Sequence, residues 1–253
     1  MSQRRALVTG GSRGIGAAVA AELAGCGHVV AVHCRTGRAA AESVVSALPG
    51  SGHAVVTADI ADPQQVQAMV SAAVSAVGGI DVLVNNAGIY VHQPVADTPY
   101  EQWQASWRHI MDVNVHGTAN VTWCMVDHLL NRAEGPGGAR IITVGSRGAY
   151  RGEPTAPAYG ASKAAVHSMT QSLAIALAPH GIAVAAVAPG FTRTEMAESL
   201  LASEAGDAIR AQSPFDRVAE PEEIAAAVAW LASPGAQWAS GAVLDLNGAS
   251  HLR

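Results

Sequence analysis

The sequence predicts an α/β fold: one domain over 1–253, built on a doubly wound parallel sheet of about seven strands with helices on both faces. Three observations carry this expectation. Seven short apolar runs recur along the chain, each apolar at consecutive positions, as strands buried on both faces are. Most are separated by stretches long enough for a helix, the pattern of right-handed crossovers between parallel strands. The first run ends in a glycine-rich turn that opens into an alanine-rich segment.

The first run, 6–8, leads into Thr9-Gly10-Gly11-Ser12-Arg13-Gly14-Ile15-Gly16 and a helix over 14–25. The second, 28–32, ends in His33-Cys34-Arg35. The third, 53–58, precedes Asp62-Pro63, an N-cap followed by proline in the first turn, which starts a helix over 62–77. The fourth, 80–84, runs into Asn85-Asn86-Ala87-Gly88; the fifth, 139–144, into Gly145-Ser146, with a helix over 161–178 beyond. The sixth, 182–188, ends on Pro189-Gly190. Glu220-Pro221 is a weaker start signal for a helix over 221–232, and 242–246 closes the set. Between them, 190–219 has weak periodicity and reads as a mobile substrate lid. No linker or repeat interrupts the order.

With 49% hydrophobic and 14% charged residues, the chain can bury a sizeable core; a net charge of −5 argues against a nucleic-acid partner. No apolar run approaches the ~18–20 residues of a membrane span, and MSQRRALVTG lacks an apolar signal region, so a soluble cytoplasmic protein is expected. Cys26, Cys34 and Cys124 are odd in number and widely spaced, suggesting neither disulfides nor a zinc knuckle. The ten histidines are scattered and include no HExxH; His109 and His116 lie two helical turns apart, but no metal site is expected.

The glycine turn between the first strand and helix lets the backbone approach a pyrophosphate, with helix N–H groups and the positive dipole end holding the anion. The alternative is a tight turn that binds nothing. An acidic residue at the end of the second strand would bind an adenosine 2′-hydroxyl; here the strand ends without a carboxylate, and Arg35 and Arg13 are placed for a 2′-phosphate. That selects NADP(H) over NAD(H), the alternative being two solvated arginines.

Lys163 is the single lysine, and Tyr159 lies four residues before it, on the same helix face. A tyrosine hydroxyl has pKa ~10, and a nearby ammonium is expected to lower it and make the phenol a usable acid. Ser146, at the carboxyl edge of the sheet, can donate to a carbonyl and stabilise charge developing there.

These residues resemble the short-chain dehydrogenase/reductase family over essentially the whole chain. The matching motifs, in order, are TGGSRGIG, Asp59 in TADI, NNAG at 85–88, Asn114 in DVNV, Ser146, Tyr159-x-x-x-Lys163 and Pro189-Gly190; the Ser146–Tyr159 spacing is also usual. The resemblance implies a Rossmann-type sheet and a cofactor site made by Gly10, Ser12, Arg13, Gly14, Ile15, Gly16 and Arg35. It implies that Asp59 and Ile60 hold the adenine, that Asn86, Ala87 and Gly88 line the cofactor, and that Pro189, Gly190, Thr192 and Thr194 pack at the nicotinamide end. It further implies that Tyr159 protonates the alkoxide, Ser146 positions it, Lys163 binds the nicotinamide ribose and Asn114 anchors a water linking Lys163 to solvent. A homotetramer, with the Tyr159 helix at one interface, is the implied assembly. Two departures stand out: Gly145 replaces a frequent second serine, expected to be harmless, and Asn247-Gly248-Ala249-Ser250 replaces an acidic or amide residue followed by two glycines, leaving the tail's packing open.

The lid resembles that of 3-oxoacyl-[acyl-carrier-protein] reductases, including the proline and arginine of SPFDR. A 3-oxoacyl thioester is therefore the leading substrate, with another small ketone, sugar or polyol as the alternative. Arg132, Arg147 or Arg151 would meet an acidic carrier protein or a CoA phosphate, or else are ordinary solvated charges. Two readings from other classes stay open: a non-catalytic NADP-binding sensor, which has no need of Asn114, Ser146, Tyr159 and Lys163 together, and a nucleotide-type methyltransferase, which would want the missing acid after the second strand.

Overall fold

The computed structural model describes residues 3–253. The seven apolar runs are seven strands: β1 Arg5–Val8, β2 Val29–Cys34, β3 Ala54–Thr57, β4 Val82–Asn85, β5 Arg140–Val144, β6 Ala183–Pro189 and β7 Val243–Leu246. All pair in parallel, in the order β3-β2-β1-β4-β5-β6-β7. Strands β2, β4, β5 and β6 are buried at every position, which is why they read as unbroken apolar runs.

The connections are α1 Gly14–Gly25, α2 Arg38–Ala47, α3 Pro63–Val77, α4 Tyr100–Met111, α5 Thr118–Asn131, α6 Gly148–Arg151, α7 Pro157–Leu177, α8 Glu195–Leu201, α9 Ala205–Arg210 and α10 Pro221–Ala232. A π-helical stretch, Asp112–Gly117, joins α4 to α5. On one face of the sheet, Val19 and Leu23 of α1 pack with Ile224, Val228 and Leu231 of α10. On the other, Val66 and Met69 of α3 pack with Val121, Met125 and Leu129 of α5 and Leu177 of α7.

The helix starts follow local chemistry. Asp62 accepts hydrogen bonds from the backbone N–H groups of Gln64 and Gln65, with Pro63 at the first position. The weaker signal at Glu220-Pro221 is reinforced by Glu223, which accepts the Glu220 N–H at 2.8 Å. Helix α7 begins at Pro157, earlier than the expected 161, because a proline at the first turn removes an N–H that would have no partner there. Helices α2 and α4 are not among the helical segments marked in the sequence; each fully buries a single residue, Ala41 and Ile110 respectively. Within 190–219, where periodicity is weak, the chain forms α8 and α9.

Candidate active site

A cleft of about 550 Å³ opens at the carboxyl edge of the sheet, over the β1–β4 boundary where strand order reverses. Its walls come from the β1–α1 turn, the segments after β2 to β6, and α7. Of the residues singled out in the sequence, Gly10, Ser12, Arg13, Gly14, Ile15, Gly16, Arg35, Asp59, Ile60, Asn86, Ala87 and Gly88 line it. Ser146, Tyr159, Lys163, Pro189, Gly190, Thr192 and Thr194 complete the wall. Asn114 stands behind it.

The turns after β1 and β4 are stitched together. Thr9 Oγ1 accepts the N–H groups of Asn86 and Ala87 at 2.9 and 3.0 Å, while Asn86 Nδ2 donates to the carbonyls of Thr9 and Gly10, both at 3.0 Å. A Cβ at position 16 would lie 2.2 Å from the Gly10 oxygen, so only glycine lets α1 start this close to the turn. Helix α1 has no side-chain cap and no acidic residue in its first turn. Its leading N–H groups and dipole are thus left for an anion.

His33 holds this turn, a role the sequence did not disclose. It is buried at the end of β2; Nδ1 accepts the Gly10 N–H at 3.1 Å and Nε2 faces the Ala58 carbonyl at 3.1 Å. That pair of partners requires the neutral ring with Nε2 protonated, and burial holds its pKa below the usual histidine value. The available signal was a lone ring donor in an otherwise apolar strand. Beyond it, Arg35 is exposed, and Arg13 pairs with Glu195 of α8 at 3.1 Å across the cleft mouth.

At the other end, Ser146 follows β5 and its Oγ accepts the Gly148 N–H at 3.0 Å. Tyr159 and Lys163 are one turn apart on α7, with Nζ 5.7 Å from the phenol ring centre. Lys163 Nζ donates to the Val144 carbonyl at 2.9 Å, which fixes it to the end of β5. Tyr90 stands edge-on to Tyr159 at 5.2 Å. The ionisation states correct the sequence expectation of an acidified phenol. Burial pushes Tyr159 up to about 12, with Ser146 opposing and Glu153 and Tyr90 adding to the rise. The same burial brings Lys163 down to about 8. Desolvation penalises the charged form of each and is the largest cause of both shifts.

Asn114 sits in the π-helical stretch. Its Oδ1 accepts the Ile89 N–H at 2.8 Å, and Nδ2 donates to the Ile89 carbonyl and to Ser162 Oγ, both at 3.0 Å. It therefore ties α7 to the segment after β4. A Cβ on Gly88 would lie 3.3 Å from Asn114 Oδ1 and 3.6 Å from Lys163 Nζ, so both converge on that glycine.

Gly145 is explained by a partner the sequence did not reveal. A Cβ there would lie 1.9 Å from Nε2 of His167, whose buried ring takes the space a serine would need. Among the described residues neither His167 nitrogen has a hydrogen-bond partner, and burial, helped by Lys163, lowers its pKa to about 4.

Of the arginines considered for a carrier protein, Arg132 is committed elsewhere. It pairs with Asp81 at 2.7 Å beside the amino end of β4, at the edge opposite the cleft. Arg217 of SPFDR pairs with Glu223 on α10. Arg147 is buried and lines the cleft; Arg151 is exposed.

A family model described as enoyl-(acyl carrier protein) reductase matches residues 10–251. An uncharacterized oxidoreductase of Methylorubrum extorquens is 37% identical over 247 residues, covering 96% of each chain. The chain belongs to the short-chain dehydrogenase/reductase family. The 3-oxoacyl-[acyl-carrier-protein] reductase of Vibrio cholerae is 35% identical, covering 98% of this chain and 97% of that one. The crystal structure of a short-chain dehydrogenase from Burkholderia cenocepacia, in complex with NADP, aligns with a TM-score of 0.87 at 34% identity. It covers 98% of this chain and 97% of the other. As a short-chain dehydrogenase/reductase, the protein is an oxidoreductase, and Ser146, Tyr159 and Lys163 line one cleft. Among the described residues no helix is long and apolar enough to cross a membrane, and no group of three His, Cys, Asp or Glu is placed to hold a metal ion.

Proposed function

We propose that the protein is an NADPH-dependent carbonyl reductase whose substrate is a 3-oxoacyl group carried as a thioester on acyl carrier protein or CoA. One observation carries this reading: a proton-donating phenol, Tyr159, faces one end of a cleft whose other end is the uncapped start of α1. The residues fit the dinucleotide. The α1 N–H groups receive the pyrophosphate, Arg35 and Arg13 the 2′-phosphate, Asp59 and Ile60 the adenine, and Pro189, Gly190, Thr192 and Thr194 the nicotinamide end. When bound, NADPH supplies the hydride.

The chain's own groups handle the proton. Ser146 donates to the carbonyl oxygen, and Tyr159 Oη passes its proton to the alkoxide as charge develops. A phenol at about 12 remains a stronger acid than an alcohol, whose pKa lies near the ~15.7 of water, so the transfer runs downhill. Lys163 binds the ribose, and Asn114 anchors the water through which the phenol is reprotonated. The 3-oxoacyl choice is supported by the Vibrio cholerae relative and the lid sequence; α8 and α9 are the lid.

Steady-state assays of NADPH oxidation against acetoacetyl thioesters, simple ketones and sugars test the substrate class. Tyr159→Phe is expected to abolish turnover while NADPH binding, read by fluorescence, persists; undiminished turnover in that variant would refute the mechanism. NADPH is expected to be preferred over NADH, with Arg35→Asp inverting or abolishing the preference. Equal use of both cofactors by the wild type would defeat the assignment of Arg35.

A further inference from the structure

Two arginines share one neutral oxygen beside the catalytic serine. Arg147, the residue after Ser146, is 3% exposed and stacks over the Phe191 ring at 5.0 Å. Its Nη2 donates to Gln212 Oε1 at 2.5 Å and its Nη1 to Ser250 Oγ. Arg151, one turn further along α6, donates to the same Gln212 oxygen at 2.6 Å. Neither guanidinium forms an ion pair with a carboxylate among the described residues. Glu153 faces the same cleft and feels both charges, which oppose the rise burial causes in its pKa, but it forms no ion pair with either among the described residues.

A guanidinium removed from water with no carboxylate hydrogen-bonded to it is costly, and a second one on the same acceptor raises that cost. An amide oxygen offers a partial charge where two full positive charges meet. The arrangement is therefore incomplete, and a carboxylate completes it: its planar pair of oxygens matches the fork of an arginine and can displace Gln212 Oε1 from both. Arg147 and Phe191 line both the cleft and a neighbouring cavity of about 340 Å³ that Gln212 and Ser250 also line, so this cation stands at the junction of the two.

We propose that Arg147 and Arg151 form a specificity-determining subsite for a carboxylate on the substrate. The inference rests on the carbonyl reductase reading and narrows it: the substrate is an oxo acid, or an oxoacyl thioester whose far end is a free carboxylate. Gln212, carried on the lid after α9, occupies the subsite until that group arrives.

The test compares acids with their uncharged methyl esters: pyruvate, acetoacetate, levulinate and 5-oxohexanoate for free acids, and the N-acetylcysteamine thioester of 3-oxoadipate for the tipped thioester. Two readouts are used, kcat/KM with NADPH and the dissociation constant from the protein–NADPH complex. At least one acid is expected to exceed its ester by about tenfold or more, and which acid does so separates the two sources. Arg147→Met removes one cation; Gln212→Glu places a permanent carboxylate on both. Each is expected to bring the acid-to-ester ratio to about one. If the two arginines merely latch the lid, both variants will change acid and ester together, and the proposal falls. Equal acid and ester values in the wild type also overturn it. Tight acid binding with no Tyr159-dependent turnover would instead sink the reductase reading while leaving the subsite standing.

Discussion

Burial acts on Lys163 and Tyr159 in opposite senses, and linkage turns each into a pH dependence. Lys163 titrates at about 8 in the folded protein against 10.5 unfolded, so between these values the unfolded chain binds more protons and stability rises with pH. Tyr159 titrates at about 12 against 10.0, so the folded chain holds its proton longer and stability falls above pH 10. The thiols of Cys34 and Cys124, raised by burial, pull against the lysine above their ordinary value. The lysine is therefore isolated by difference. The stability of cofactor-free wild type minus that of Lys163→Met, from urea unfolding, should increase from pH 8 to pH 10. A flat difference would show that Lys163 keeps an ordinary pKa.

At the scale of the element, α7 does two jobs from one helix. Its cleft-facing side carries Tyr159 and Lys163, while His167, one turn beyond Lys163, fills the space over Gly145 and lies 5.2 Å from the Tyr150 ring. The expectation that Gly145 is harmless has a condition attached: it is harmless because position 167 supplies the missing volume. Gly145→Ser should destabilise the protein by roughly 1–3 kcal/mol, the usual range for overpacking, which is about 2–4 °C per kcal/mol in a chain of this size. Adding His167→Ala should restore the melting temperature by opening the space. A Gly145→Ser protein that melts with the wild type would show that the ring moves away at no cost. The π-helical stretch is the other local device, since it places Asn114 where both Ile89 and Ser162 can bond it.

At the scale of the molecule, the strand reversal between β1 and β4 opens the cleft, and the segments leaving β1 to β6 at the carboxyl edge contribute to it. The outer surface bears Trp123 on α5 at 64% exposure and Ile175 on α7 at 80%, and near the C-terminus Trp238 at 99%. Large apolar groups in the open on such helices suit association. In the assembly we propose, α7 lies at one interface of a homotetramer. Light scattering is expected to give about four times the 25.7 kDa chain mass. A monomeric mass would contradict the assembly.

The strands, the glycine turn, Asp62 as a cap and the Ser146, Tyr159 and Lys163 set were legible because each rests on local chemistry. A strand buried on both faces must be apolar throughout, a turn against a helix start must be glycine, and an i, i+4 pair must share a face. Long-range contacts left no such mark. His33 under the glycine turn, His167 over Gly145, Arg132 on Asp81 and the meeting of Arg147, Arg151 and Gln212 join residues 22 to 65 positions apart, apart from the two arginines themselves. The direction of the Tyr159 shift was likewise decided by folding. The sequence supplied the ammonium, but the depth at which it is buried depends on how the sheet and helices close around it.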